Sequence, residues 1–184
     1  MYGRIGRRTM VGRTGLTQPI SGTFYRIVFE HLVDKIMDGV LSPEGRFHHD
    51  GEAAFYCSPT PQAASIAIDR YVGDNDPPRV MCQIAVENAD VFDLRTADQT
   101  TDHIDPAWGS VQWAPERAAG QPATTWRASD AVRALDVDGM IYTSRTAPDR
   151  WHLVLFRWNE LGGPKIRLLG SEGWYAGKYP KPAL

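Results

Sequence analysis

Short apolar runs rich in aromatic and β-branched residues recur along the chain, and they constrain its fold more than any other feature. Only two or three helices are expected, one opening at Thr60-Pro61, one running from Ser129 to Leu135, and a short or irregular segment at 32–40. Because these elements do not alternate strictly, the sequence predicts an α+β fold with a mostly antiparallel sheet. We expect strands at 24–29, 53–57, 79–86, 91–94, 140–143, 151–158 and 165–169.

A long polar stretch between residues 95 and 125 interrupts this pattern. It is rich in proline and glycine and contains Trp108 and Trp113. A connection of this length inside a compact domain is typical of a packed and functional segment.

The composition predicts one soluble globular domain. Hydrophobic residues make up 42% of the 184 residues and charged residues 23%, which is enough to build a core and excludes wholesale disorder. The formal net charge of −2 argues against a chain that coats nucleic acid. No apolar run approaches the roughly 20 residues of a membrane span, and no apolar stretch of signal-peptide length follows the first arginines. We therefore expect a cytoplasmic protein in which Cys57 and Cys82 are reduced core thiols rather than a disulfide or metal ligands.

Residues 1–22 differ from the remainder of the chain. They contain arginines and five glycines but no acidic residue. Glycine at this density resists regular structure. The prediction is a flexible basic arm, in part a cloning remnant, or else an arm that docks on an acidic partner, followed by a folded domain over 23–184.

The common catalytic motifs are absent from the sequence. No phosphate-binding glycine loop, dinucleotide-binding glycine fingerprint or G-x-S-x-G elbow occurs. The cluster His48-His49-Asp50 suggests a metal site, but neighbouring side chains on an extended segment point in opposite directions. No H-E-x-x-H or C-x-x-C supports it, so we expect no metal.

Two arginines, Arg26 and Arg46, lie at strand or turn positions twenty residues apart. An arginine inside an apolar strand is costly unless its guanidinium is paired or faces a cleft. Its planar fork suits phosphate oxygens. The alternatives are a structural salt bridge or edge position for Arg26 and a solvated loop charge for Arg46.

Several aromatic side chains and one hydroxyl could contact a base or a nicotinamide ring. Ser144 directly follows an apolar strand, beside Arg145. The alternative for each is an ordinary core, surface or turn position. The aromatic candidates are Tyr25, His48, His49, Tyr56 and Trp126.

In the order and spacing of its blocks, the sequence resembles the RES-domain family, named for its Arg, Glu and Ser. No single block is specific, but together they cover about residues 23 to 160. The blocks are Phe24-Tyr25-Arg26-Ile27, Gly45 to Ser58, Pro61-Gln62-x-Ala64, Trp126-x-x-Ser129-Asp130, Asp138 to Arg145 and Leu153 to Phe156.

The resemblance implies a compact core similar to that of ADP-ribosylating toxins, with two small, mostly antiparallel sheets, flanking helices and a central cleft. It also implies a toxin of a type II toxin–antitoxin pair that consumes NAD⁺ and is silenced by an Xre-like antitoxin covering the cleft. Some branches cleave or phosphorolyse NAD⁺. The ParT-type branch, which we expect to be nearest, transfers ADP-ribose to a phosphoribosyl pyrophosphate synthetase.

Carried over residue by residue, Arg26 takes the family's first arginine and Arg46 the arginine of the G-R-[FW] block. Tyr56 and Ser144 take the tyrosine before the helix and the late serine. The chain departs from the pattern at the family's helical glutamate, where it has Ala67. Asp69 and Glu52 are the alternative carboxylates, and Glu52 is the candidate that we name.

On this resemblance, the catalytic residues are Arg26, Glu52, Tyr56 and Ser144. Arg26 and Arg46 would hold the pyrophosphate, and Glu52 would stabilise positive charge on the ribose. The other predicted contacts to NAD⁺ come from Tyr25, Tyr56, His48, His49 and Ser144.

The predicted function is therefore an ADP-ribosyltransferase that uses NAD⁺ as substrate, needs no metal and modifies a host protein. Two alternatives stay open. One is an NAD⁺ glycohydrolase or phosphorylase, and the other is a non-enzymatic nucleotide-binding module. No membrane or direct nucleic-acid partner is expected.

Overall fold

One six-stranded sheet organises the computed structural model, which describes residues 17–99 and 103–180. The strand order is β1-β3-β4-β5-β2, and β6 also pairs with β3. Every pair is antiparallel except β3 with β4. The predicted α+β fold with a mostly antiparallel sheet is confirmed. The strands are β1 (Thr17–Phe29), β2 (Phe55–Cys57), β3 (Arg79–Asp93), β4 (Gly139–Thr143), β5 (Trp151–Leu155) and β6 (Lys165–Trp174).

The length of β3 explains why the described strands form one sheet rather than the two small sheets that the resemblance implied. Its 15 residues unite the two predicted strands at 79–86 and 91–94. β3 pairs with β1 along most of its length, with β6 over 79–87 and with β4 over 91–93. A further bridge joins Tyr25 of β1 to Ser58, directly after β2, so the two ends of the strand order meet.

The helices occur in the connections between these strands along the chain. In α1, the Thr60 hydroxyl accepts a hydrogen bond from the Ala63 N–H at 3.1 Å, as expected of a threonine cap followed by proline. The predicted start at Ser129 is wrong, because that residue is buried inside α3. The α-helices are α1 (Pro61–Ile68), α2 (Trp113–Ala118) and α3 (Thr124–Arg133), and the 3₁₀ helices are Glu30–Asp38, Asp69–Tyr71, Leu94–Thr96 and Pro106–Ser110.

The first strand begins earlier than the sequence predicted. Thr17 already pairs with Phe92, so residues 17–22 of the predicted arm belong to β1 rather than to a flexible segment. Backbone pairing to β3 compensates for the glycine at position 22. The remainder of the predicted arm, residues 1–16, lies outside the described residues.

The two faces of the sheet bury separate apolar clusters. One face, here called the inner face, carries residues such as Phe24, Phe55 and Cys82. The other, here called the outer face, carries residues such as Tyr142, against which Phe47 of the preceding loop packs. Cys57 and Cys82 are buried free thiols, as predicted. Successive residues of a strand point to opposite faces, so this division decides which side chains can share a site. No helix in the described ranges is long and apolar enough to cross a membrane.

Gly139 at the start of β4 should tolerate no side chain. A Cβ there would lie 2.2 Å from the carbonyl oxygen of Val154 in β5. We expect Gly139→Ala to lower the free energy of unfolding by roughly 1–3 kcal/mol, because the two strands must move apart. Urea unfolding would measure it. The matched control is Gly170→Ala in β6, where a Cβ meets nothing within 4 Å; equal losses in both variants would contradict the prediction.

Candidate functional site

A cavity of about 550 Å³ lies against the outer face of the sheet. Tyr56 follows Phe55 in β2, and Tyr142 of β4 lies opposite His152 of β5, so the three rings share this face. The end of α1, the 3₁₀ helix that follows it and the loop around Arg46 form the other walls. The site therefore has a buried floor on the sheet and an exposed rim on the helices.

A hydrogen-bonded chain fixes part of the floor. The Tyr56 hydroxyl accepts from the Phe47 N–H at 2.9 Å and lies 3.0 Å from His48 Nδ1. His48 Nε2 lies 3.1 Å from the Ser42 carbonyl oxygen, which can only accept, so Nε2 carries the proton and Tyr56 donates to Nδ1. Burial lowers the pKa of His48 and raises the pKa of Tyr56. Both groups are uncharged at neutral pH.

Arg46 supplies a buried cation beside this chain. Its guanidinium carbon lies 5.0 Å from the ring centroid of Phe47 and 4.9 Å from that of Tyr142, over two rings that pack against each other, and the group donates to the Gly109 carbonyl oxygen. Burial lowers the pKa of Arg46, and the charges of Arg70 and Arg145 lower it further. Three guanidinium groups thus line one cavity, an arrangement that favours a ligand with more than one negative charge.

The carboxylates at the cavity are Glu44 and Asp69. Glu44 is paired with Arg117, whose Nε donates to it at 3.1 Å. Asp69 lies on the exposed rim, two residues after Ala67. Ala67, the position that the resemblance aligns with the family glutamate, also lines the cavity.

Ser144 and His152 complete the floor. Ser144 is buried, and its backbone N–H donates to the Arg150 carbonyl oxygen at 2.8 Å. His152 Nδ1 lies 2.8 Å from the buried Ser58 hydroxyl. Of the eight predicted site residues, the structure thus brings together Arg46, His48, Tyr56 and Ser144 at the cavity.

The structure does not bring Arg26 to this cavity, which is a correction to the predicted single pocket. Arg26 pairs in register with Cys82 and lies on the inner face, because it alternates with Tyr25 along β1. Its Nη2 donates to the Gly39 carbonyl oxygen at 2.9 Å, and its guanidinium lies 4.7 Å from the Phe55 ring centroid. Burial lowers the pKa of Arg26 to about 10.

Glu52 and His49 likewise do not line the cavity, and their contacts lie with α3 and its neighbourhood. Glu52 accepts a hydrogen bond from the His49 N–H at 3.2 Å and lies 3.5 Å from the Nε of Arg133 in α3. The His49 ring stacks on Trp126 at 4.6 Å. Glu52 and His49 therefore attach this loop to α3.

Tyr25 lies on the outer face but outside the cavity. It packs against the cluster that contains Ala64 of α1 and Met81 of β3. Its backbone forms the bridge to Ser58. A contact between Tyr25 and a ligand in the cavity has no support in this geometry.

A group of possible metal ligands, His49, Glu52 and Asp130, places its ligand atoms within 4.8 Å of one another. His49 Nε2 lies 2.9 Å from Asp130 Oδ1, and Glu52 is paired with Arg133. These contacts account for the cluster as an ion-pair network, and we assign no metal to it.

The cavity residues that sequence reasoning did not assign to a site include Arg70, Trp113, Tyr142, Arg145 and His152. Alternation along β4 could have identified Tyr142, which lies two residues before the predicted Ser144. To identify His152, one needs to know that β4 pairs with β5, which the sequence alone does not give. Arg70 and Trp113 belong to no sequence motif that could have identified them.

Acid should destabilise the protein through His152. Burial, with a smaller effect from the charge of Arg46, lowers the pKa of His152 from 6.5 to about 4. Between pH 6.5 and 4, therefore, the unfolded chain binds a proton at His152 and the folded chain does not. The free energy of unfolding falls as the pH drops through this window, by up to about 3 kcal/mol from this group. Urea unfolding of wild type and His152→Gln at both ends of this window measures it; parallel losses in the two proteins would contradict it.

Comparisons with known proteins agree with this architecture. The family model described as the RES domain matches residues 23–176. Seven chains of solved structures match, among them one from the crystal structure of the M. tuberculosis MbcT–MbcA toxin–antitoxin complex. That match has a TM-score of 0.57 and 19% identity and covers 89% of this chain and 90% of the other, which shows a shared fold. No curated protein matches the sequence.

Proposed function

Since the chain belongs to the RES-domain family, we propose that it is the toxin of a toxin–antitoxin pair and that it consumes NAD⁺ in the cavity on the outer face of the sheet. The observation that carries this proposal is the combination of three guanidinium groups with a buried, uncharged polar floor in one cavity. Its volume lies within the range of small-molecule sites.

The charge distribution of the cavity matches the two halves of the dinucleotide. The pyrophosphate carries negative charge that Arg46, Arg70 and Arg145 neutralise, and guanidinium groups bind phosphate oxygens in pairs. The nicotinamide end leaves the reaction as a neutral ring and suits the uncharged floor of His48, Tyr56 and Ser144. In this proposal the ring lies on the uncharged floor, and the phosphates lie between Arg46 and the more exposed Arg70 and Arg145.

The reaction breaks the bond between the nicotinamide nitrogen and the ribose. The electron pair leaves with nicotinamide, and positive charge develops on the ribose as in glycoside cleavage. A carboxylate near the ribose stabilises that charge. In this proposal Asp69 is that carboxylate, because it lines the cavity and Glu52 does not.

The acceptor in the proposed reaction is a side chain of a host protein, with a phosphoribosyl pyrophosphate synthetase as the target to test first. One observation favours a second candidate, NAD⁺ phosphorolysis or hydrolysis. Three guanidinium groups exceed the two negative charges of a pyrophosphate and leave one cation for a free phosphate.

The proposed partner is an Xre-like antitoxin that covers the cavity in the cytoplasm. The rim supports this proposal, because Tyr71 is 51% exposed there and Arg70 is exposed beside it. An aromatic ring next to an arginine is typical of the anchors of protein interfaces.

Incubation with adenylate-labelled NAD⁺ and a cell lysate tests the function. A labelled protein band supports ADP-ribosyl transfer, and purified phosphoribosyl pyrophosphate synthetase then tests the target. Free ADP-ribose, or its phosphorylated form when phosphate is added, supports the second candidate. Unchanged NAD⁺ would contradict both enzymatic functions and leave a binding module.

A further inference from the structure

The turn that carries Arg46 is held by a residue of α3. Arg46 and Phe47 are the two central residues of this tight turn. Its ends are joined by a hydrogen bond of 2.8 Å from the Gly45 N–H to the His48 carbonyl oxygen. The carbonyl oxygen of Gly45 accepts the indole N–H of Trp126, also at 2.8 Å. A side chain of α3 therefore binds the residue directly before Arg46.

Trp126, the third residue of α3, is itself fixed. The ring of His49 stacks on it at 4.6 Å with an interplanar angle of 23°, and the guanidinium carbon of Arg117 lies 4.8 Å from its ring centroid. At the start of the helix, the N–H and the hydroxyl of Thr124 both donate to the carboxylate of Glu116, at 2.7 and 2.6 Å. These contacts fix the plane of the indole, so the direction of its N–H is set by the start of α3.

The position of the turn matters for the chemistry of Arg46. Its side chain donates to the Gly109 carbonyl oxygen and lies over the rings of Phe47 and Tyr142. A guanidinium that binds a phosphate with two hydrogen bonds must be held within roughly 0.5 Å and 10–20° of the productive geometry. Because Arg46 lies between the two joined ends of the turn, a displacement of the turn displaces the guanidinium.

We propose that Trp126 is a positioning residue, whose indole N–H holds the Gly45 carbonyl oxygen and thereby aims the Arg46 guanidinium at the phosphates of the dinucleotide. This inference rests on the proposed function. Trp126 does not line the cavity, so it acts through Arg46 and not by contact with the substrate. This role replaces the contact with a base or nicotinamide ring that the sequence suggested for Trp126.

The test is a double-mutant cycle between positions 126 and 46, measured as kcat/KM for NAD⁺ and as the Kd of ADP-ribose by calorimetry. Trp126→Phe keeps an aromatic ring and removes the N–H. It should lower kcat/KM and raise Kd by about tenfold, the effect of a hydrogen bond that holds a binding group in place. In the Arg46→Gln background the same change should have almost no further effect, because no guanidinium is left to aim.

The matched control is Trp158→Phe. Trp158 Nε1 also donates to a backbone carbonyl oxygen, that of Met37 at 2.7 Å, but its ring packs against the cluster of the inner face. This variant should lose stability and keep the wild-type kcat/KM and Kd. If Trp126→Phe does not fold, benzothienylalanine at position 126, which replaces only the indole N–H by sulfur, decides on the same criterion.

The outcomes separate this inference from the function on which it rests. Equal losses in the wild-type and Arg46→Gln backgrounds would indicate a merely structural role and overturn the inference, as would wild-type values in Trp126→Phe. A wild type that binds ADP-ribose without consuming NAD⁺ overturns the proposed reaction, and the cycle in Kd still decides the inference. A wild type that does neither overturns both.

Discussion

Replacement of Arg46 by glutamine should lower kcat/KM for NAD⁺ consumption by roughly 100-fold or more. Each charge-assisted hydrogen bond contributes about 1.5–3 kcal/mol, and one guanidinium can form two of them with a pyrophosphate. The cation is held over the rings of Phe47 and Tyr142 by its hydrogen bond to the Gly109 carbonyl oxygen, so neither Arg70 nor Arg145 at the same cavity can take its place. Lysine at position 46 should restore only part of the rate, because it keeps the charge and loses the fork.

The experiment measures nicotinamide release by chromatography, with thermal unfolding as the check that Arg46→Gln is folded. The matched control is Arg167→Gln in β6, whose exposed side chain forms a surface ion pair with Glu87 at 3.6 Å. Such pairs contribute little to stability. Full activity in Arg46→Gln would show that the dinucleotide does not bind in this cavity.

Removing the carboxylate of Asp69 should lower activity, and adding a carboxylate at position 67 should restore part of it. Asp69→Asn should lower the rate of nicotinamide release by roughly 100-fold, the cost of losing one group that stabilises transition-state charge. Adding Ala67→Glu to that variant should recover part of the rate. Ala67 lines the same cavity, and the added side chain is tolerated because the residue is exposed near the end of α1.

Glu52→Gln, measured alongside, decides between the two candidate carboxylates. It should lower stability through the lost pairing with Arg133 and leave nicotinamide release nearly unchanged. Asp34→Asn, on the exposed side of a 3₁₀ helix, is the control for removing a surface charge. An inactive Glu52→Gln with an active Asp69→Asn would reverse the assignment.

Local patterns predicted much of the fold. The cap at Thr60 and the aromatic and β-branched runs of β1, β4 and β5 act over a few residues, so propensity identifies them. The union of 79–86 with 91–94 into one strand, and the pairing of Thr17 with Phe92, depend on contacts between distant segments. Pairing of this kind overrides the local preference of glycine and polar residues for loops.

The site shows the same limit. Arg46, Tyr56 and Ser144, which the block order assigned to one site, line the same cavity, but proximity in the sequence could not say which face each side chain takes. Alternation along β1 sends Arg26 to the inner face, and a turn sends Glu52 towards α3. A shift of one residue in the register of β1 would move Arg26 to the other face.

The seam between β1 and β2 has a practical consequence. Ser58 closes the sheet with its backbone and steadies the imidazole of the cavity floor with its hydroxyl. Slow deuterium uptake at the amides of Tyr25 and Ser58 would therefore report an intact floor in the free protein. This exchange rate distinguishes inactive variants whose site has unfolded locally from inactive variants whose site is folded but lacks a catalytic group.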